Sequence, residues 1–138
     1  MMASDKRQGV SRMRKPVVYI ASAYTKGDVA ANTHFQCRIF DQMLTDGKAL
    51  PVAPLMSHFN HLIFPRPYQD WINYDLEMLP LYDACVRLTA EVDRIGYAQH
   101  ESSGADGEVA AFKKMGKPVF TSLIDLYRWI DTAWGTNA

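Results

Sequence analysis

An alternation constrains this chain more than any other feature. Four short apolar runs, Pro16–Tyr24, Leu50–Leu55, Asp83–Leu88 and Pro118–Phe120, are separated and followed by segments with helical periodicity. Each run is long enough for a strand and too short for a buried helix. The resulting order β-α-β-α-β-α-β-α predicts one α/β domain, a parallel sheet of four to five strands with helices on both faces. Ligands of such sheets bind beyond the carboxyl ends of the strands, near the point where strand order reverses. Three polar clusters fall at those ends: Ser22–Thr25, Ser57–His61 and Ser102–Glu108.

The first run is continuously apolar through Ile20 and then turns small and polar at Ala21-Ser22-Ala23-Tyr24, as a buried strand does at a ligand-binding edge. Asp28 is placed to cap a helix in which Thr33, Cys37, Phe40 and Leu44 recur at helical spacing, and Gly47 stops it. Two prolines in Leu50–Leu55 predict an edge position or a brief strand. Ser57–His61 reads as irregular, with His58, Phe59 and Tyr68 forming a lid or pocket wall. Asp70 is placed to cap a helix with Trp71, Asp75, Met78 and Leu79 along one side, ended by Pro80. Asp75 stands out there, an acid among large apolar residues. Arg87 argues against full burial of the third strand. Glu91–Glu101 is polar and loop-like. Val109, Phe112 and Met115 predict a core-facing helix side that stops at Gly116. Ser122 caps the last helix, whose face Leu123, Leu126, Tyr127, Ile130 and Trp134 is the strongest amphipathic signal in the chain and a candidate dimerisation surface. Residues 1–14, polar and without periodicity, read as a disordered leader to a domain over 15–138.

Composition narrows the partners. With 138 residues, 48% of them hydrophobic, the chain can bury one sizeable core. Fifteen basic and fifteen acidic residues cancel and form no basic stripe, so a nucleic-acid polymer is not an expected partner. No apolar run reaches the length of a membrane span, and no signal-peptide core follows the first residues. Cys37 and Cys85 lie in apolar segments and read as structural thiols of a reducing compartment, so a cytoplasmic location is expected.

Several chemistries lack their motif. There is no G-x-x-x-x-G-K-[ST], no G-x-G-x-x-G after the first strand and no G-x-S-x-G. His58 and His61 lack a third and fourth ligand at metal-site spacing. Neither a metal nor a dinucleotide cofactor is therefore expected. What remains is carboxylate chemistry. Glu108 follows a small-residue stretch, Ser102-Ser103-Gly104-Ala105, and lies about one turn inside a helix whose N-terminus attracts anions. A carboxylate is easily kept ionised there. Glu108 and Asp75 are the pair to back, one attacking an electron-poor carbon while the other protonates the leaving group.

Tyr19-Ile20-Ala21-Ser22-Ala23-Tyr24-Thr25, Asp75-Leu76 followed by Asp83, and Ser102-x-Gly104-x-x-x-Glu108 followed by Gly116-Lys117-Pro118 together resemble the nucleoside 2-deoxyribosyltransferase superfamily, which includes 2'-deoxynucleoside 5'-monophosphate N-glycosidases. The resemblance covers roughly residues 16–121. It implies a flavodoxin-like three-layer sandwich, a homodimer or larger homo-oligomer, and no cofactor. It implies cleavage of the N-glycosidic bond of a nucleoside or its 5'-monophosphate, with Glu108 attacking C1', Asp75 protonating the departing base and Tyr19 positioning the carboxylate. Ser102 and Gly104, with the backbone around Ser22 and Ala23, would hold a 5'-phosphate or 5'-hydroxyl; Tyr24 and His58 complete the expected substrate-binding set, and Asn137 is the one candidate for completing a partner's pocket. Hydrolysis is slightly favoured over transfer. Asp106 departs from the nucleotide hydrolases, which tend to carry a small residue there. The alternative is a non-catalytic module that binds or sequesters a nucleotide on the same fold.

Overall fold

In a computed structural model, the described residues are 14–23, 28–88 and 103–135, with Ser103 and Gly104 described by backbone only. Four strands, β1 (Val17–Ala21), β2 (Leu50–Val52), β3 (Ala84–Arg87) and β4 (Val119–Phe120), form one all-parallel sheet in the order β2-β1-β3-β4. The helices are α1 (Val29–Asp46), α2 (Ser57–Ile63), α3 (Tyr68–Met78), α4 (Ser103–Lys114) and α5 (Leu123–Thr132). The architecture is the expected flavodoxin-like three-layer sandwich.

Strand alternation divides the core. Val18 and Ile20 of β1 join Ala84, Val86 and Leu88 on the face covered by Phe35, Ile39 and Met43 of α1 and Leu126 of α5. Tyr19 and Ala21 join Cys85 on the opposite face, under Ala105 and Phe112 of α4 and Leu79 beyond α3. Strand order reverses at β1, so the ends of β1 and β3 diverge toward their following helices and open a crevice between them.

Local chemistry explains the element ends. Asp28 caps α1, its Oδ1 accepting from the Ala31 amide at 3.0 Å, and Gly47 closes the helix at φ 72°. Ser122 caps α5 by accepting from Asp125 N at 3.1 Å. Gly116 (φ 73°) ends α4, and Lys117 then reaches the carbonyls of Pro80 (2.7 Å) and Tyr82 (2.5 Å). That lysine ties the end of the Glu108 helix to the tight turn after the Asp75 helix. Arg14, the last residue assigned to the leader, forks onto Asp83 at 2.7 and 3.2 Å while its carbonyl accepts from Trp134 Nε1.

Several expectations are corrected. The buried side of α1 is Ala31, Asn32, Phe35, Gln36, Ile39 and Met43, and Leu44 is 53% exposed. Two buried amides had disguised the stripe. Strand β2 ends at Val52, where the Pro54–Met56 turn begins, and it holds the edge position its prolines predict. Ser57–His61 is helical rather than irregular. Helix α3 starts at Tyr68, so Asp70 does not cap it but lies in its first turn beside Arg66 at 3.5 Å. Arg87 is buried despite its charge, because the α4 start covers the end of β3. Met115 is exposed, beyond the last turn of α4. The apolar face of α5 packs into the chain's own core through Leu123, Leu126, Tyr127 and Ile130, which removes it as a dimerisation surface. Tyr24, Ser102, Glu91–Glu101 and Asn137 lie outside the described residues.

Candidate active site

A cleft of about 370 Å³ opens at the carboxyl edge of the sheet. Its wall takes Ser22 from the end of β1, Pro54 and Leu55 after β2, His58 and His61 from α2, Trp71 and Asp75 from α3, and Ala105 and Glu108 from α4. Described residues of all three polar clusters thus meet at one place. Each follows a strand, and parallel strands deliver their ends to the same edge.

Glu108 lies at the floor. Tyr19, fully buried in β1, donates its hydroxyl to Glu108 Oε2 at 2.6 Å. The Tyr19 ring stacks on Tyr82 (5.2 Å between centroids) and leans on Phe112 (5.7 Å), so the direction of the hydroxyl is set by packing. Burial pushes the Glu108 carboxyl up to about 7; the Tyr19 hydrogen bond opposes this, the Asp75 charge adds to it and Arg87 opposes it. The expectation of an easily ionised helix carboxylate is therefore corrected: desolvation outweighs the helix-terminus effect. Burial also pushes Asp75 up to about 6. Two carboxyls raised into the neutral range and facing one cleft are candidates for proton transfer and nucleophilic attack. The Cys85 thiol is driven by burial to about 12 and is no nucleophile.

Replacing Tyr19 by Phe removes the donor that favours the ionised form of Glu108. The Glu108 carboxyl then rises further, by the worth of one hydrogen bond to a charged group. An NMR titration of the Glu108 carboxyl whose midpoint moves to higher pH checks this.

The expected substrate-binding residues divide. Ser22 and His58 line the cleft, Ala23 is buried behind it, and Gly104 lies in the first turn of α4 by its backbone. Phe59 is no pocket wall; it is 73% exposed on the outer side of α2, while Tyr68 lines the mouth. Gly107 is exposed, and a Cβ there meets nothing within 4 Å. Among the described residues no three His, Cys, Asp or Glu side chains are grouped to hold a metal. None of the described helices is long and apolar enough to cross a membrane.

Gln36 escaped the sequence reading. Fully buried, it donates to Ile20 O (3.1 Å) and Ser22 Oγ (2.7 Å) and accepts from Leu55 N (2.8 Å). One amide thus staples the two strand ends that frame the cleft. Its signal was present as Asn32, Gln36, Ile39 and Met43 at helical spacing. Gln36→Leu strands a buried N–H, a carbonyl and a hydroxyl, so unfolding free energy drops by about 2–4 kcal/mol in a denaturant titration.

The chain matches no known protein-family model and no curated protein. The geometry of this cleft therefore carries the functional reading.

Proposed function

We propose that the protein cleaves the N-glycosidic bond of a nucleoside, deoxynucleoside or 5'-monophosphate through a glycosyl ester on Glu108. The observation that carries this is the arrangement Tyr19–Glu108 opposite Asp75 in one cleft, with both carboxyls raised into the neutral range. Glu108 attacks C1' with the oxygen that Tyr19 does not hold. The C1'–N bond breaks, its electron pair leaves with the base, and Asp75 supplies the proton the base takes. Water, or a second base, then attacks C1' and releases the carboxylate while Asp75 recovers a proton from the attacking group. The resemblance of the Tyr19, Asp75 and Ser102–Glu108 segments to the nucleoside 2-deoxyribosyltransferase superfamily points the same way.

The test is chromatography of nucleosides and 5'-monophosphates, ribo and deoxy, incubated with the protein with and without an acceptor base. Free base without acceptor identifies hydrolysis, and exchange only with acceptor identifies transfer. Silence across the panel contradicts the proposal.

The proposal includes a homodimer or larger assembly. Its support is the outer side of α2 and the loop after it, where Phe59, Leu62, Ile63 and Phe64 are all at least 60% exposed. Contiguous apolar surface of this kind is usually covered. Sedimentation above the monomer mass is the expected result.

A further inference from the structure

We infer that the end of the cleft away from Glu108 is a base-recognition subsite in which His61 Nε2–H donates to an exocyclic oxygen, so that the protein takes oxo bases ahead of amino bases. The inference rests on the N-glycosidic reading for the placement of the sugar beside Glu108. It goes beyond that reading by naming the base.

Helix α3 orders the cleft along its axis. Trp71 and Asp75 are four residues apart, so they lie one above the other on the same face, and both line the cleft. His61 is joined to the Trp71 end. Its Nδ1 accepts from Trp71 Nε1–H at 3.1 Å and from the Arg66 amide at 3.3 Å. The imidazole meets the indole edge-on, with centroids 6.2 Å apart at 69°. In sequence along the wall, Asp75 thus serves the base atom nearest the sugar, Trp71 and Ile72 its flat body, and His61 its far edge.

The two N–H groups on Nδ1 decide the tautomer. A ring nitrogen that accepts carries no proton, so the proton of the neutral imidazole sits on Nε2. No described residue bonds Nε2. Switching tautomer would set an N–H on Nδ1 against two other N–H groups, so the ring cannot adapt to a ligand that offers a donor. It presents one fixed donor.

The far edge of a base bonded through its ring nitrogen is position 6 of a purine or 4 of a pyrimidine. Hypoxanthine, guanine, uracil and thymine carry oxygen there, which accepts. Adenine and cytosine carry an amino group, whose hydrogens would meet the Nε2–H. A site built to pair one polar group rejects the mismatched one strongly, here by about 10- to 100-fold. A donor at this edge also draws off the negative charge that builds on the leaving base.

Isothermal titration of the Glu108→Gln protein, which holds the cleft without turnover, with inosine against adenosine and uridine against cytidine, and with their 5'-monophosphates, tests the subsite. The oxo member of each pair is expected to bind at least about tenfold tighter. Adding His61→Phe brings the ratio close to one. Adding Trp71→Phe, which unpins Nδ1 while keeping an aromatic face, lowers the ratio to about threefold and serves if His61→Phe does not fold. Equal binding within the pairs, binding of none of the eight ligands, or a ratio unchanged in both variants overturns the subsite. Oxo preference in binding with no base released by the unaltered protein leaves the subsite standing and sinks the glycosidase reading. Base release without oxo preference does the reverse.

Discussion

Glu108→Gln abolishes activity, by at least about a thousandfold, and makes the protein more stable at neutral pH. The two effects share one cause. Burial holds the Glu108 carboxyl at about 7 against an ordinary value of 4.5. Below pH 4.5 it is protonated both folded and unfolded, and it adds no pH-dependent term. As pH rises from there through about 7, the unfolded chain ionises freely while the folded chain resists, so stability falls across that window and levels off above it. Gln removes that penalty, keeps the volume and still accepts from Tyr19. The variant should gain about 3 kcal/mol at pH 8 and almost nothing at pH 4. Thermal melts at the two pH values read this as a rise of roughly 8–12 °C at pH 8 alone. Equal melting of wild type and variant at pH 8 would show that Glu108 ionises without cost. A buried nucleophile bought at the expense of stability is a common trade in active sites.

Asp75→Asn is the second large effect. The proposed reaction needs Glu108 ionised and Asp75 protonated, the minor arrangement of one proton on a pair in which Asp75 sits near 6 and Glu108 near 7. One proton is thus held between two carboxyls over the working range. The wild-type rate should describe a narrow bell, rising through about 6 and falling through about 7. Asn cannot donate that proton, so kcat/KM falls about 100- to 10,000-fold. The descending limb disappears with it. The Asp75 charge also raises Glu108, so its removal lowers the Glu108 carboxyl, and the rate of the variant then follows that single ionisation. A variant that keeps the bell contradicts the assignment. A substrate with a better leaving group should recover much of the loss, because it needs no proton.

How much of this was legible depends on what each signal measures. The parallel sheet was legible because runs such as Val17–Ala21 are apolar at every position, as only a strand covered on both faces is. The caps Asp28 and Ser122 and the stop at Gly116 were legible because they depend on local backbone chemistry. The face of α1 was not. Asn32 and Gln36 look solvent-bound in a pattern reading, and only the strand ends across the interface reveal why an amide is buried there. Helix α2 was missed because its outer side carries Phe59, Leu62 and Ile63 and its inner side His58 and His61. Neither side is the polar face that marks a surface helix.

The candidate site divides similarly. Glu108, Asp75 and Tyr19 could be named from the sequence, yet that Glu108 and Asp75 share one cleft, with Tyr19 buried behind Glu108, is a property of the β2-β1-β3-β4 order. The protonation behaviour of Glu108 was misread for the same reason. Position in a helix predicts a dipole effect, whereas burial beneath α3 and beside Asp75 arises from parts of the chain far apart in sequence. His61 was weighed only as a metal ligand, because its bond to Trp71 spans ten residues and two helices.

The most direct test of the central claim is peptide mass mapping after rapid acid quench of the protein with the panel of nucleosides and 5'-monophosphates. The account predicts a pentosyl or deoxypentosyl adduct, with its 5'-phosphate where the substrate carries one, on the peptide bearing Glu108 and absent from Glu108→Gln. Base released at full rate by the Glu108→Gln variant, or an adduct confined to another residue, would contradict it.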